Sequence, residues 1–186
     1  MDSITIHDKT FVPYLKDEEI QSIVKETALK IYEDYKDETP VFIGVLNGVI
    51  MFFSDLLKHY PGNCEIAFIQ MSSYVGTQST GIVYQKMDLT KDIKDRHIII
   101  LEDIVDTGNT VASLFQYFTE TQRPKSVKIA SFLLKPEVYS KDFKIDYVGK
   151  EIPNKFVLGY GLDYDELGRN LKDLYQLEDG KINEKH

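Results

Sequence analysis

Cysteine is nearly absent from this 186-residue sequence, which contains Cys64 alone. A single thiol excludes an intrachain disulfide and is typical of proteins of the reducing cytosol. Apolar runs long enough to cross a bilayer are also missing, and the first residues show neither the charged start nor the apolar core of a signal peptide. These absences predict a cytoplasmic protein that has no membrane partner.

Positive charge is also scarce, because 22 Lys and Arg face 30 Asp and Glu, giving a formal net charge of −8. Without a dense basic cluster, nucleic acid and anionic membranes are disfavoured as the main partner. The spacing of the histidines matches no metal-ligand motif; they are His7, His59, His97 and His186. An anionic ligand would therefore need local positive features within an acidic protein.

The most informative part of the sequence is the stretch RHIIILEDIVDTGNTVASL, residues 96–114. Its apolar run Ile98–Leu101 predicts a strand that is buried on both faces, and Glu102 and Asp103 end the run. The turn Asp106–Thr110 then opens a segment with helical apolar spacing. In open α/β sheets, ligands bind at such carboxyl ends of buried strands.

The chemistry of this turn favours a phosphate. Backbone amides at a helix N-terminus are unsatisfied donors, Gly108 permits close approach, and Thr107 and Thr110 add hydroxyl groups. No Lys or Arg lies between positions 104 and 110, so dipoles rather than charge would hold the phosphate.

The two carboxylates of the stretch suit a different part of the same ligand. Glu102 and Asp103 would accept hydrogen bonds from a sugar diol and help to hold Mg²⁺. Together with the phosphate site, they indicate a ribose 5-phosphate. The simpler alternative is that Asp106 and Thr107 cap the helix while Glu102 and Asp103 occupy a solvated turn.

Apolar patterns elsewhere predict alternating helices and strands. Residues 1–16 indicate an irregular or extended arm, and an amphipathic helix follows from Asp17, its expected N-cap, to Tyr32. Buried strands are expected at Val41–Leu46, 66–71 and 127–134, with a helix through Phe53 and Leu57 between the first two. The pattern predicts a single α/β domain, residues 1–186, with a mostly parallel central sheet flanked by helices.

The string LEDIVDTGNT resembles the phosphoribosyl pyrophosphate signature of the type I phosphoribosyltransferases. Over residues 8–178 the chain is similar to the hypoxanthine-guanine branch of that family. The resemblance implies purine salvage, in which 5-phosphoribosyl passes from phosphoribosyl pyrophosphate to N9 of hypoxanthine or guanine, with Mg²⁺ as cofactor. It also implies a hood formed by about 1–16 and 150–186, and a homodimer or homotetramer.

The resemblance also assigns residues to roles. Those expected to bind phosphoribosyl pyrophosphate are Glu102, Asp103, Asp106, Thr107, Gly108, Asn109, Thr110, Leu46, Asn47, Gly48, Ser73, Tyr74 and Arg169. Those expected at the purine are Lys135, Phe156, Val157 and Asp163, and those expected near metal are Glu102, Asp103 and Asp163. Asp106 would be the general base.

Three of these assignments have simpler alternatives. Leu46–Gly48, expected to bind pyrophosphate through its amides and a cis Leu46–Asn47 bond, is also compatible with an ordinary Asn-Gly turn. It carries Asn47 where many family members have Lys or Arg. Segment 72–81, SSYVGTQSTG, is either a catalytic lid or an exposed hairpin connection. Lys135 either donates to a purine 6-oxo group or is a solvated strand-end lysine.

Two other classes of protein remain open. One is a non-catalytic regulator on the same fold that senses phosphoribosyl pyrophosphate. The other is a phosphoryl-transfer enzyme with an aspartate nucleophile, although the spacing of Asp103 and Asp106 does not match the usual Asp-x-Asp pair.

Overall fold

The computed structural model describes residues 2–74, 83–86, 89 and 91–178. The elements, in chain order, are β1 (Ile4–Ile6), β2 (Lys9–Leu15), α1 (Asp17–Tyr35), β3 (Val41–Leu46), α2 (Ile50–His59), β4 (Glu65–Tyr74), β5 (Val83–Lys86), β6 (His97–Val105), α3 (Asn109–Tyr117), β7 (Ser126–Leu134), β8 (Tyr147–Glu151), β9 (Val157–Leu158) and β10 (Leu174–Leu177). A π-helical turn, Phe118–Gln122, prolongs α3. Within these ranges, no helix combines the length and apolarity needed to cross a bilayer.

The larger sheet has the strand order β5-β4-β3-β6-β7-β8. Strands β4, β3, β6, β7 and β8 are parallel to one another, and β5 pairs antiparallel to β4 at one edge. The predicted mostly parallel α/β sheet is confirmed. From β3 the chain proceeds outward to β4, whereas from β6 it proceeds outward in the opposite direction to β7 and β8. The strand order therefore reverses between β3 and β6, and this switch point is where a crevice opens.

The core lies on both faces of this sheet, because alternate residues of each strand point to opposite sides. Phe42, Ile99 and Leu101 pack in the cluster that includes α1 and α2, whereas Ile98 and Ile100 pack in the cluster that includes α3. All four residues of Ile98–Leu101 are fully buried. The prediction of a strand buried on both faces is confirmed.

Helix α1 begins at Asp17, and Lys16 occupies the N-cap position, so the prediction of Asp17 as N-cap is wrong. Glu19 accepts the Lys16 N–H at 3.1 Å through Oε2, and the Asp17 N–H donates to Asp173 Oδ1 at 2.8 Å. Because Glu19 and Asp173 accept these two N–H groups, Asp17 takes the first helical position instead of the cap.

A second, four-stranded antiparallel sheet has the order β1-β2-β10-β9. The N-terminal arm is therefore a β-hairpin, Ile4–Leu15, and the C-terminal strand β10 returns to pair with β2. Strand β8 belongs to the larger sheet, where Ala130 pairs with Tyr147. Residues after Glu151 therefore supply β9 and β10 to the second sheet.

Candidate active site

The carboxylate pair of the central motif lies inside β6 rather than after its end. Pairing with β3 stops at Gly44↔Leu101, but pairing with β7 continues to Val105↔Leu134. Backbone hydrogen bonds to β7 therefore extend the strand four residues past the apolar run, which corrects the predicted boundary. Glu102 and Asp103 consequently sit where β6 has separated from β3, which continues to Leu46 beside β4, at the switch point of the sheet.

Glu102 is buried and Asp103 is half-buried, both within strand β6, which contradicts the alternative of a solvated turn. Glu102 is 6% exposed, and its Oε1 has no hydrogen-bond partner among the described residues. Burial, with the nearby charge of Asp103, raises the pKa of Glu102 well above its ordinary value. Burial also raises the pKa of Asp103 to about 6. The hydrogen bond that its Oδ1 accepts from the Ile104 N–H at 2.8 Å lowers the pKa and offsets part of this rise.

These oxygens fit a hard divalent cation, because a buried carboxylate oxygen without a partner is costly unless a cation or donor meets it. Within the described ranges, no cluster of three or more His, Cys, Asp or Glu could hold a metal ion without other ligands. Oxygens of a bound substrate would therefore have to complete such a site, as is usual for Mg²⁺.

The acidic turn after β6 lines a cavity of about 310 Å³, together with Glu102 and residues 104–111. Gly108 has a left-handed backbone, φ 81°, and is the N-cap of α3. No side chain caps the helix, so the alternative in which Asp106 and Thr107 act as caps is wrong. The first amides of α3 follow Gly108 directly, which leaves unsatisfied donors at the cavity.

Lys135 is buried, which contradicts the alternative of a solvated strand-end lysine. It is 8% exposed, and its Nζ lies 2.8 Å from Asp106 Oδ1. Its own N–H donates to the Val105 carbonyl at 3.0 Å, because β7 ends beside β6. The half-exposed Asp106 carboxylate and the ammonium of Lys135 thus form an ion pair at the mouth of the turn.

The turn Leu46–Gly48 follows the neighbouring strand β3 and contains the expected cis bond between Leu46 and Asn47. A Cβ on Gly48 would lie 1.7 Å from Asp103 Oδ2. A Cβ on Gly161 would lie 2.0 Å from the Gly48 carbonyl oxygen. The turn is therefore held between the acidic strand and the C-terminal segment, in contacts that leave no room for side chains.

The C-terminal segment brings a charged pair to this turn. Arg169 donates to the Gly161 carbonyl at 3.0 Å and lies 2.8 Å from Asp163 Oδ1. Their charges act on Asp103 in opposite directions, Arg169 lowering and Asp163 raising its pKa. The structure thus gathers the predicted residues Asp103, Gly48, Asp163 and Arg169 around one point.

The predicted aromatic residue of the purine site lies in the hood. Phe156 is 42% exposed, and its ring meets Tyr164 edge-on at 5.8 Å and Phe11 at 6.1 Å. Val157 is buried in β9. Of the predicted lid, residues 75–81 lie outside the described residues. Ser73 and Tyr74 belong to β4, where their backbones pair with β5.

Sequence reasoning missed segment 139–141, which covers the turn Asp106–Thr110. A Cβ on Gly108 would lie 2.6 Å from Tyr139 Cε2, Ser140 N–H donates to the Thr107 carbonyl at 3.4 Å, and Lys141 Nζ donates to Asn109 Oδ1 at 2.6 Å. A cation therefore lies next to a turn whose own sequence contains none. Segment 139–141 follows a different strand from the turn, so no local pattern in the sequence connects them.

Fold and site together define the class of protein first: an α/β protein whose switch-point crevice has the uncapped N-terminus of a helix beside acidic oxygens, an arrangement suited to an anionic ligand. Comparison with known proteins then identifies the family. Residues 14–165 match the model of the phosphoribosyl transferase domain. The chain therefore belongs to the phosphoribosyl transferase family, which confirms the resemblance carried by the motif.

Named relatives agree over most of their length. The chain is 44% identical over 158 residues to a hypoxanthine-guanine phosphoribosyltransferase of Staphylococcus epidermidis, covering 84% of this chain and 88% of that protein. It is 39% identical over 176 residues to one of Aquifex aeolicus, covering 94% and 98%. A crystal structure of a Bacillus anthracis hypoxanthine-guanine phosphoribosyltransferase superposes with a TM-score of 0.83 at 35% identity, covering 89% and 98%.

Proposed function

We propose that this chain is a purine-salvage enzyme that transfers 5-phosphoribosyl from phosphoribosyl pyrophosphate to N9 of hypoxanthine or guanine. The products are IMP or GMP and pyrophosphate. One observation carries the proposal most directly: the ion pair of buried Lys135 with Asp106, 2.8 Å apart at the phosphate-binding turn. In the proposed reaction, Lys135 supplies a hydrogen-bond donor to the base, and Asp106 supplies a proton acceptor next to the sugar phosphate. The names of the relatives support the same activity.

The base specificity follows from the chemistry of Lys135. A charged lysine donates hydrogen bonds and accepts none. It therefore suits the 6-oxo group of hypoxanthine or guanine, which accepts a hydrogen bond. The 6-amino group of adenine is itself a donor, so it would face the lysine without forming a hydrogen bond. Because Lys135 is buried, water cannot readily compensate for such a mismatch. Phe156, Val157 and Asp163 complete the proposed purine site, Phe156 by stacking and Val157 through its backbone.

Asp106 is the proposed general base, which accepts the proton at purine N7 as N9 attacks the anomeric carbon. In the free protein the ammonium of Lys135 pairs with the Asp106 carboxylate, and this ion pair fixes the position of Asp106 at the turn. The amides and hydroxyl groups of residues 106–110 hold the 5-phosphate, and Glu102 with Asp103 orients the ribose diol.

The departing pyrophosphate needs donors on the opposite side of the ribose. The proposed groups are the backbone of Leu46–Gly48, Ser73, Tyr74 and the guanidinium of Arg169. In the free protein the guanidinium of Arg169 pairs with Asp163. When pyrophosphate enters, Arg169 would either leave Asp163 or contact Asp163 and pyrophosphate together. Mg²⁺, held by Glu102, Asp103 and Asp163 with substrate oxygens, would neutralise the pyrophosphate charge.

A spectrophotometric assay tests the proposal, with phosphoribosyl pyrophosphate, Mg²⁺ and each of hypoxanthine, guanine, xanthine and adenine. We expect turnover of hypoxanthine and guanine, none of adenine, and loss of activity in EDTA. Lys135→Met should abolish the discrimination against adenine, or the activity itself. Binding of phosphoribosyl pyrophosphate without turnover of any base would instead support the non-catalytic regulator on the same fold.

We also propose that the enzyme acts in the cytoplasm as a homodimer or homotetramer. The single cysteine supports a reducing compartment. Cell fractionation and light scattering test these two points separately. A monomer that is fully active would refute the oligomer.

A further inference from the structure

The segment Tyr139–Lys141 lies directly on the phosphate turn. The Tyr139 ring and the Lys141 side chain occupy the space in front of Gly108, where a Cβ would be 2.6 Å from Tyr139 Cε2 and 2.8 Å from Lys141 Cγ. The Ser140 N–H and Oγ both lie 3.4 Å from the Thr107 carbonyl oxygen. The side chain of Lys141 therefore packs beside the Tyr139 ring against Gly108 and continues to Asn109.

The ammonium of Lys141 is hydrogen-bonded to a neutral partner. Its Nζ donates to Asn109 Oδ1 at 2.6 Å, and no ion pair within the described ranges includes it. Lys135, the other cation at the turn, already faces the Asp106 carboxylate at 2.8 Å. Lys141 is thus the described cation at the turn whose charge no carboxylate balances.

A phosphate bound at the turn would need a cation to offset nearby negative charge. A phosphate dianion in the cavity would lie close to Glu102 and Asp106, both of which line it. The N-terminus of α3 offers only about half of an elementary charge. Asn109 also lines the cavity, and Lys141 Nζ is within hydrogen-bond distance of its side chain. Rotation about the terminal torsions of the lysine would bring the ammonium to a phosphate oxygen.

We propose that Lys141 is the cation of the 5-phosphate site. In the free protein it holds Asn109, and when the phosphorylated sugar enters, its ammonium donates to the phosphate. This inference rests on the proposed function, and it changes the sequence-based expectation that dipoles alone hold the phosphate. Lys141 contributes to binding of the phosphate and not to the chemistry at the anomeric carbon.

Calorimetric titrations with paired ligands test the role of Lys141. The wild type and Lys141→Met are titrated with GMP, with guanosine, which lacks the phosphate, and with pyrophosphate plus Mg²⁺. We expect Lys141→Met to weaken GMP binding at least about 10-fold, as for loss of a charge-assisted hydrogen bond. Guanosine and pyrophosphate should change less than about 2-fold by the same reasoning. Lys141→Arg should recover most of the GMP affinity.

Two further variants separate a phosphate contact from a structural role. Lys144→Met removes an exposed lysine three residues after Lys141 and should leave the affinities for GMP, guanosine and pyrophosphate unchanged. Asn109→Ala removes the neutral partner of Lys141 but keeps the ammonium. If Lys141 acts on the phosphate, Asn109→Ala loses less GMP affinity than Lys141→Met. If Lys141 only braces Asn109, the two variants lose the same affinity, and the inference is wrong.

The outcomes distinguish this inference from the proposed function. A wild type that binds neither GMP nor phosphoribosyl pyrophosphate refutes both. A wild type that binds GMP, with the same affinity in Lys141→Met, refutes only the role of Lys141. Equal losses for GMP and guanosine would also refute it, because the loss would then not depend on the phosphate. Should Lys141→Met fold poorly, Lys141→Gln is measured against the same ligand pairs.

Discussion

The contact between Gly48 and Asp103 leads to the sharpest prediction. Gly48 has no left-handed backbone angle, so alanine meets no conformational penalty there. Its Cβ, however, would lie 1.7 Å from Asp103 Oδ2 and 2.7 Å from Asp103 Cγ. Gly48→Ala therefore forces either the turn or the carboxylate to move, and we expect Asp103 to rotate and lose its bond to the Ile104 N–H.

The magnitude follows from two effects. Overpacking of one methyl group costs about 1–3 kcal/mol, and loss of a hydrogen bond to a charged group costs about 1.5–3 kcal/mol. We expect Gly48→Ala to lower the free energy of unfolding by about 3 kcal/mol. In an Asp103→Ala background the clashing atoms are gone, and the same substitution should cost less than about 1 kcal/mol.

The assay is urea unfolding of the single and double variants at pH 7.5 in EDTA, followed by circular dichroism. A coupling energy of about 2 kcal/mol between the two substitutions is expected. Gly62→Ala is the matched control, because its Cβ would meet Tyr32 and Tyr60 at 3.1 Å and not Asp103. It should be additive with Asp103→Ala. Additivity of Gly48→Ala with Asp103→Ala would refute the steric argument.

Three further outcomes are expected. Asp106→Asn should reduce turnover about 10²- to 10⁴-fold while phosphoribosyl pyrophosphate binding changes little, and near-normal kcat would exclude Asp106 as the base. Because the pKa of Glu102 is higher in the folded state than its ordinary 4.5, the folded protein keeps this proton longer, and stability falls as pH rises above about 4.5. Glu102→Gln should therefore raise the melting temperature in EDTA more at pH 8 than at pH 5; an equal shift at both would contradict ionisation as the cause. Gly108→Ala should weaken GMP binding, since φ 81° and contacts of 2.6 and 2.8 Å disfavour any Cβ, and unchanged calorimetric affinity would show that the turn adapts.

The buried carboxylates link stability to function. Glu102 is buried and Asp103 is half-buried, and burial raises the pKa of both carboxyl groups, which destabilises the free protein when they are ionised. Under the proposed function, the same arrangement would present their oxygens to a diol and a divalent cation. A substitution that stabilises the free protein at this point, such as Glu102→Gln, is therefore expected to weaken binding of phosphoribosyl pyrophosphate.

The sequence by itself determined the strands and the central motif. Runs such as Val41–Val45 and Ile98–Leu101 contain no polar side chain, and a short strand covered on both faces buries them. The Gly-containing turn before α3 could also be predicted from the sequence, because a left-handed backbone angle and an uncapped helix N-terminus depend only on neighbouring residues.

Only the tertiary structure decided which residues meet at the site. The length of β6 depends on backbone pairing with β7, which no side-chain pattern in β6 encodes. The approach of Gly48 to Asp103, the pairing of Lys135 with Asp106 and the placement of Lys141 on Asn109 each join segments that follow different strands. Such contacts arise because parallel strands end at one edge of the sheet, so that loops far apart in the chain share one crevice.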